Sequence, residues 1–161
     1  MIQYTTLENV SGEVLFETNR KTMSERLKKE VSLDSFCEML REQDYDPTIS
    51  VGAFDTETGE CVSLVLNCIR KDKEKTAYDI ITCTIPEYRR RGIARTIFEK
   101  VKVLLKERGI EIYTTETKRD NIIAQSMYRS LGFEIKDEVV TTLKTLNGNR
   151  QVEQYEVVMK L

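Results

Sequence analysis

The stretch TIPEYRRRGIARTIFEK, Thr84 to Lys100, constrains the fold more than any other. Upstream of it, Ala77–Ile85 is rich in Ile and Thr and reads as a strand. Pro86 stops that strand, because proline cannot donate to a sheet ladder. Downstream, Ile93, Ile97, Val101, Leu104 and Leu105 fall at helical spacing, so a helix runs from Ile93 to Gly109, a natural C′ residue. Ile110–Thr117 is the next β-rich run. A strand, a basic turn, a helix and a second strand in this order make a crossover unit.

Around this unit the chain reads mostly as hairpins. Ile2–Thr6 is a short first strand, and Gly12–Lys29 is helix-compatible but weakly periodic. Ser32 is an N-cap for a helix with Leu33, Phe36, Cys37 and Leu40 on one face, ending near Asp44 before Pro47. Ile49–Phe54 and Cys61–Ile69 flank the turn DTETGE, and RKDKEK makes a second charged turn. Ile122–Leu131 is a helix ended by Gly132. Phe133–Leu146 and Arg150–Leu161 are strands around the turn NGN. The order is strand, two helices, three strands, helix, strand, helix, two strands: an α+β fold with a mixed, mostly antiparallel sheet flanked by helices. With 161 residues, 7 glycines and 2 prolines, no linker divides it, and residues 1–161 are expected to form one domain.

Bulk properties narrow the chemistry. Histidine is absent, which removes imidazole bases, imidazole metal ligands and histidine triads together. Cys37, Cys61, Cys68 and Cys83 form no CxxC pair and fit neither a zinc site nor a disulfide framework. They read as reduced thiols of a cytoplasmic, metal-free protein. A formal net charge of −2 argues against a general nucleic-acid binder and makes local basic patches the informative signal. No apolar run is long enough to span a membrane, and MIQYTTLENV lacks a leader pattern.

Arg89, Arg90, Arg91 and Arg95 gather positive charge where a helix N-terminus already carries unpaired N–H groups. For a structural helix start this is unfavourable by about a few tenths of a kcal/mol per residue, and Asp, Ser or Thr is preferred there. An anion over the junction reverses that balance. Gly92 lets it approach the backbone, Ala94 is the next smallest choice, and Arg90, Arg91 and Arg95 add charge-assisted hydrogen bonds. A pyrophosphate or nucleotide phosphate meets these terms, and a solvated basic helix start is the alternative. Neither GxxxxGK[ST] nor GxGxxG occurs.

Arg89-Arg90-Arg91-Gly92-Ile93-Ala94 resembles motif A, [Q/R]-x-x-G-x-[G/A], of the GCN5-related N-acetyltransferase (GNAT) family. One helix and one strand later, NIIAQSMYRSLGF resembles the family's N-x-x-A-x-x-x-Y-x-x-x-G-F at Asn121, Ala124, Tyr128, Gly132 and Phe133. Together the motifs cover residues 77–134. The first part of the chain matches only as a strand with two helices. The resemblance implies the acyl-CoA N-acyltransferase fold, whose sheet splays after the fourth strand, with acetyl-CoA as co-substrate in the gap. It implies that pantetheine pairs with the backbone of Cys83, Thr84 and Ile85. It implies that the amides of Arg90, Arg91, Gly92, Ile93, Ala94, Arg95 and Thr96 hold the pyrophosphate. Asn121 then contacts the pantetheine arm and Tyr128 faces the sulfur. Ala94 stands where glycine is commoner, and Cys83 and Thr84 replace more apolar or smaller residues, which bears on acetyl against longer acyl groups.

The implied activity is direct transfer of an acetyl group from the CoA thioester to a primary amine of a small molecule or peptide. It needs a polarised carbonyl, a neutral amine and a protonated leaving thiolate. For the first, the resemblance points to the backbone amide of Cys83, and one such donor is worth about 3 kcal/mol. The Cys83 thiol as a covalent carrier has no histidine to activate it, and direct transfer is usual in the family. For the second, strand alternation puts Asp79, Ile81, Cys83 and Ile85 on one face. Asp79 matches the glutamate base of the family's histone-acetyltransferase branch. It reads either as a base acting through water or as a hydrogen-bonded strand aspartate, with Glu116 as the alternative base. For the third, the motif makes Tyr128 the general acid. Without the motif it reads as a core tyrosine sharing a helix face with Ala124 and Leu131. Asn121 is equally placed to cap its helix.

The acceptor is expected among the N-terminal helices, the 70–75 turn and the last two strands. There Glu153, Tyr155 and Glu156 shape either its site or a homodimer interface. Glu25, Glu30, Asp34 and Glu38 either attract an amine or form a solvated helix face. Two rival readings stand: a non-catalytic acyl-CoA-binding regulator of the same fold, and a nucleic-acid module on the arginine cluster. The acidic total and the lack of an aromatic platform weigh against the latter, so neither nucleic acid nor membrane is expected as a partner.

Overall fold

The computed structural model describes residues 1–145 and 148–161. Its strands are β1 (Ile2–Thr6), β2 (Val51–Asp55), β3 (Cys61–Ile69), β4 (Thr76–Thr84), β5 (Ile112–Lys118), β6 (Glu134–Thr145) and β7 (Gly148–Lys160). Its α-helices are α1 (Gly12–Arg20), α2 (Glu25–Glu30), α3 (Leu33–Glu42), α4 (Ile93–Glu107) and α5 (Ile122–Ser130). The strands form one sheet in the order β1-β2-β3-β4-β5-β7-β6, antiparallel throughout except for the parallel pair β4–β5. That pair is the crossover through α4, and the mixed α+β architecture is as the sequence indicates.

One element is added to the expected order. The weakly periodic Gly12–Lys29 region breaks into α1 and the short α2, each opened by its own serine. Ser11 accepts from the Val14 amide and Ser24 from the Leu27 amide. Because α2 buries none of its residues, no apolar period announces it. Ser32 caps α3 as expected, in a reciprocal box with Ser35. Asn147 of the expected NGN turn lies outside the described residues, as does the side chain of Glu153.

The sheet separates two apolar clusters. On one face Ile93, Ile97, Phe98, Val101 and Leu105 of α4 pack with Val62, Val65, Ala77, Tyr113, Tyr128 and Phe133. Each such side chain contributes about 2 kcal/mol on burial, so this stripe anchors α4 firmly. On the other face Leu15 and Phe16 of α1 and Phe36 and Leu40 of α3 pack with Leu64, Leu66 and Cys83.

Two irregularities in β4 matter for function. Leu66 opposes Ile81 but Asn67 opposes Asp79, so Ile80 is an extra residue and β4 bulges there. Ile80 and Ile81 both pack into the α1–α3 cluster with Cys83. Asp79 instead bonds Thr82 and Tyr128 on the α4–α5 side. The expected common face for Asp79, Ile81 and Cys83 is thereby corrected, since an inserted residue reverses the alternation. Second, β4 pairs with β5 only over Thr76–Tyr78, against Ile112–Thr114, whereas β5 stays paired with β7 as far as Lys118. Past Tyr78 the two strands part and leave a wedge between them.

Candidate active site

The basic junction closes the wide end of that wedge. Helix α4 starts on Gly92, in the left-handed region at φ 75°, with no side-chain cap. By contrast α1, α2, α3 and α5 each start on a Ser or Asn whose side chain accepts a backbone N–H. The first-turn amides of α4 are thus left open, with the positive end of the helix dipole behind them. A Cβ added at Gly92 would meet nothing within 4 Å, so the space above these amides is clear. Arg90 also has a positive φ, 63°, and turns the chain into the helix. The arginines differ in their anchoring. Arg89 donates from Nε to the Thr84 carbonyl at 2.9 Å, and Arg91 donates to the Glu87 carbonyl at 2.9 Å with its guanidinium 4.8 Å from the Tyr88 ring. Arg95 reaches the Ser130 carbonyl at 3.3 Å, and Thr96 Oγ1 the Gly92 carbonyl at 3.1 Å. Ile93 is buried in the core and contributes only its backbone here.

Along the wedge the main chain of β4 is divided by register. The Ile85 amide donates to the Val62 carbonyl at 2.9 Å and its carbonyl accepts from the Tyr88 amide at 3.0 Å. In an antiparallel ladder directed pairs alternate, so Cys83, opposite Leu64, also turns its main chain to β3. Thr82 and Thr84 turn theirs away, towards the side that β5 has left. The Cys83 amide is therefore corrected as the carbonyl-polarising donor, and Cys83 and Ile85 are corrected as backbone partners of a ligand in the wedge. Of the expected three, Thr84 keeps that orientation. Its hydroxyl lies 2.8 Å from that of Ser63. The buried Cys83 thiol is pushed up to about 12 by desolvation, so it stays protonated near neutral pH and is no nucleophile.

The vertex of the wedge holds a buried polar group of three elements. Tyr128 of α5 is fixed by an edge-on contact with Phe133, ring centroids 5.3 Å apart. Its hydroxyl donates to Asp79 Oδ2 at 3.4 Å, with the hydroxyls of Thr82 and Thr115 beside it. Thr82 donates to the same oxygen at 2.5 Å, and Asp79 Oδ1 is buried with no partner. Desolvation pushes Asp79 up to about 7, and the same burial raises Tyr128 well above an ordinary phenol. Asn121 caps α5 by accepting the Ala124 amide at 3.1 Å, so its side-chain oxygen is engaged.

A raised carboxyl pKa ties stability to pH. The native state holds its proton to higher pH than the unfolded chain. The favourable contribution is complete below about pH 4 and is lost as pH rises through about 7. Asp79→Asn removes that dependence. Urea unfolding is expected to show the variant gaining on the parent protein between pH 5 and 8, by about 3 kcal/mol. A difference that stays flat across this range would contradict a protonated, buried Asp79.

Glu116 lies on the opposite face of the sheet from Asp79. It accepts the Tyr78 hydroxyl at 2.5 Å, and the Arg70 guanidinium stacks 5.7 Å from that tyrosine ring. Both residues line a cavity of about 380 Å³ with Glu42, Gln43 and Asp44 from the end of α3 and Arg70, Lys71 and Asp72 from the turn after β3. Four acidic side chains face two basic ones. The bidentate Arg70–Asp72 pair and the Lys71–Asp44 pair, at 3.2 Å, brace the rim. Glu25, Glu30, Asp34 and Glu38 lie away from this cavity on exposed helix surface, which agrees with the solvated-face alternative for them. Thr82, Thr115 and Tyr78 were missed altogether. The doublet Ile80-Ile81, which breaks the polar–apolar alternation, was the available trace of the bulge that turns Thr82 towards Asp79.

Comparison with known proteins fits this geometry. The family model for the acetyltransferase (GNAT) family matches residues 14–133. The chain belongs to the GNAT family. This GNAT chain is 30% identical over 63 residues to an aminoglycoside N(6')-acetyltransferase type 1 of Acinetobacter haemolyticus, a match that spans 39% of the chain and less than half, 43%, of that enzyme. Its fold is similar to the ribosomal-protein-S18-alanine N-acetyltransferase of Escherichia coli, with a TM-score of 0.72, 17% identity and coverage of 99% and 94% of the two chains. It is also similar to the PaiA N-acetyltransferase of Thermoplasma acidophilum, determined in complex with coenzyme A, with a TM-score of 0.70, 18% identity and coverage of 100% and 99%.

Proposed function

We propose that this GNAT protein moves an acetyl group from acetyl-CoA directly to a primary amine within a ternary complex. The observation that carries this reading is the uncapped N-terminus of α4 opening onto a wedge whose vertex holds the Tyr128 hydroxyl. In this reading the α4 amides and arginines take the diphosphate, which a helix N-terminus favours electrostatically. The outward main chain of Thr84 pairs with the pantetheine arm, and Asn121 lies along it. The outward amide of Thr82 polarises the thioester carbonyl, the task the sequence had given to Cys83. Tyr128 protonates the departing sulfur. The amine enters through the cavity on the other face, where the acidic majority favours a cationic acceptor, either a small molecule or a peptide end.

Glu116 is the better-placed base. It lines that cavity and is partly exposed, whereas Asp79 is 2% exposed and faces α5. An alkylammonium with a pKa near 10 has to lose a proton before it attacks. Glu116→Gln is expected to lower kcat about 100-fold at neutral pH with the affinity for coenzyme A unchanged. An unaltered rate would remove Glu116 from the reaction. The function itself is tested by thiol release from acetyl-CoA across a panel of amines. Release that depends on both substrates supports transfer, and binding of acetyl-CoA without release with any amine would identify a regulator instead.

A further inference from the structure

Asp79 is left without a task by the mechanism above, yet it is a costly residue to bury. It is 2% exposed, its Oδ1 has no partner, and its Oδ2 takes two hydroxyl donors, Thr82 at 2.5 Å and Tyr128 at 3.4 Å. The titratable groups around it are Tyr113 from β5, Tyr128 from α5, Cys68 from β3, and Tyr78 and Cys83 from its own strand, all neutral near pH 7. No cation among these compensates a buried carboxylate, so the acid form is favoured at this site. The bulge at Ile80 is what aims the side chain here; an unbroken strand would have sent it to the other face.

We propose, resting on the acetyl-transfer reading, that Asp79 is the proton source behind Tyr128, delivering to the leaving sulfur through the phenol rather than taking a proton from the amine. As the carbon–sulfur bond breaks, its electron pair stays on sulfur. For the transfer the phenol turns its hydrogen from Asp79 Oδ2 to sulfur, and the acid form of Asp79 points its Oδ2 hydrogen at the Tyr128 oxygen. The Tyr128 proton then passes to sulfur while the Asp79 proton passes from Oδ2 to the Tyr128 oxygen. Tyr128 ends as the neutral phenol it began as, sulfur as a thiol, and Asp79 as a carboxylate that recovers a proton from water once the products leave. Over the cycle two protons leave the ammonium nitrogen, one reaches sulfur and one is released. The relay answers a difficulty of the site. Burial makes Tyr128 too weak an acid to give its proton to a thiolate alone, and a simultaneous donation from a carboxylic acid removes the need for a buried tyrosinate. The Tyr128–Asp79 contact is about 0.6 Å longer than a typical O–H···O bond, which leaves the phenol free to lean towards sulfur.

The test is the pH dependence of kcat at saturating acetyl-CoA and amine for the parent protein, Asp79→Asn, Asp79→Glu and Tyr128→Phe/Asp79→Asn. Infrared difference spectra of the free proteins, parent minus Asp79→Asn, accompany it. The parent is expected to lose rate on the alkaline side, in the range where Asp79 ionises. Asp79→Asn is expected to lose that limb and about tenfold in plateau rate, and Asp79→Glu to keep the limb. The double variant is expected to be no slower than Tyr128→Phe alone, because the two groups act in series. The difference spectrum is expected to carry the carbonyl stretch of a protonated carboxylic acid at pH 6. An alkaline limb that survives in Asp79→Asn, additive losses in the double variant, or a carboxylate band at pH 6 would each overturn the relay while the acetyl-transfer reading stood. A parent protein that releases no thiol would sink that reading, and the relay with it.

Discussion

Replacing Tyr128 with phenylalanine is expected to lower kcat about 100-fold while the affinity for coenzyme A stays unchanged. The expectation follows from what the substitution keeps. The ring remains wedged against Phe133, and α5 keeps the Asn121 cap at its start, so the wedge keeps its shape. Only the hydroxyl is lost, and with it the proton that the proposed mechanism gives to the departing sulfur. A structural role alone would give the opposite pattern: a loss of stability of about 1 kcal/mol from the missing hydrogen bond, with little change in rate. Steady-state kinetics and calorimetry on the same preparation separate the two, and an unchanged kcat would take Tyr128 out of the mechanism.

The second large effect is expected at the other end of the cofactor. Gly92→Asp puts a carboxylate over the open amides of α4, where the proposed diphosphate sits. Affinity for coenzyme A is expected to fall at least about 100-fold, from like-charge repulsion and occupied space. Stability is expected to change little. A left-handed φ of 75° costs a non-glycine residue about 1 kcal/mol, and an acidic group at a helix N-terminus returns about half of that or more. A large loss of binding beside a small change in melting temperature is the signature of a ligand site. Binding that survived the substitution would mean that the diphosphate lies elsewhere.

What the sequence made legible, and what it hid, divides by the range of the physics involved. Pro86, Gly92 and the apolar spacing from Ile93 act within a few residues, and they located the strand end, the helix start and the uncapped amides. Ser32 marked its helix for the same reason. The pairing register of β3 and β4 is set by residues some fifteen positions apart, and nothing local states it. The bulge at Ile80 therefore went unread. Asp79 was assigned to the wrong face, and the outward main chain was given to Cys83 and Ile85 rather than to Thr82 and Thr84. The cavity beside Glu116 is assembled from the end of α3, a turn and two strands, none of which carries a motif. Tyr128 and Asn121 are singled out only because a motif names them. By burial alone, a tyrosine on an amphipathic helix is a core residue, and here it is that as well.

The central claim is that the main chain from Gly92 to Thr96, with Thr82 and Thr84 across the wedge, binds coenzyme A. Titration of nitrogen-15-labelled protein with coenzyme A, followed amide by amide, tests it most directly. Saturable shifts concentrated at the amides of Gly92–Thr96, Thr82 and Thr84, and abolished by Gly92→Asp, are the predicted result. A spectrum that does not move, or shifts that leave those amides untouched, would contradict the account.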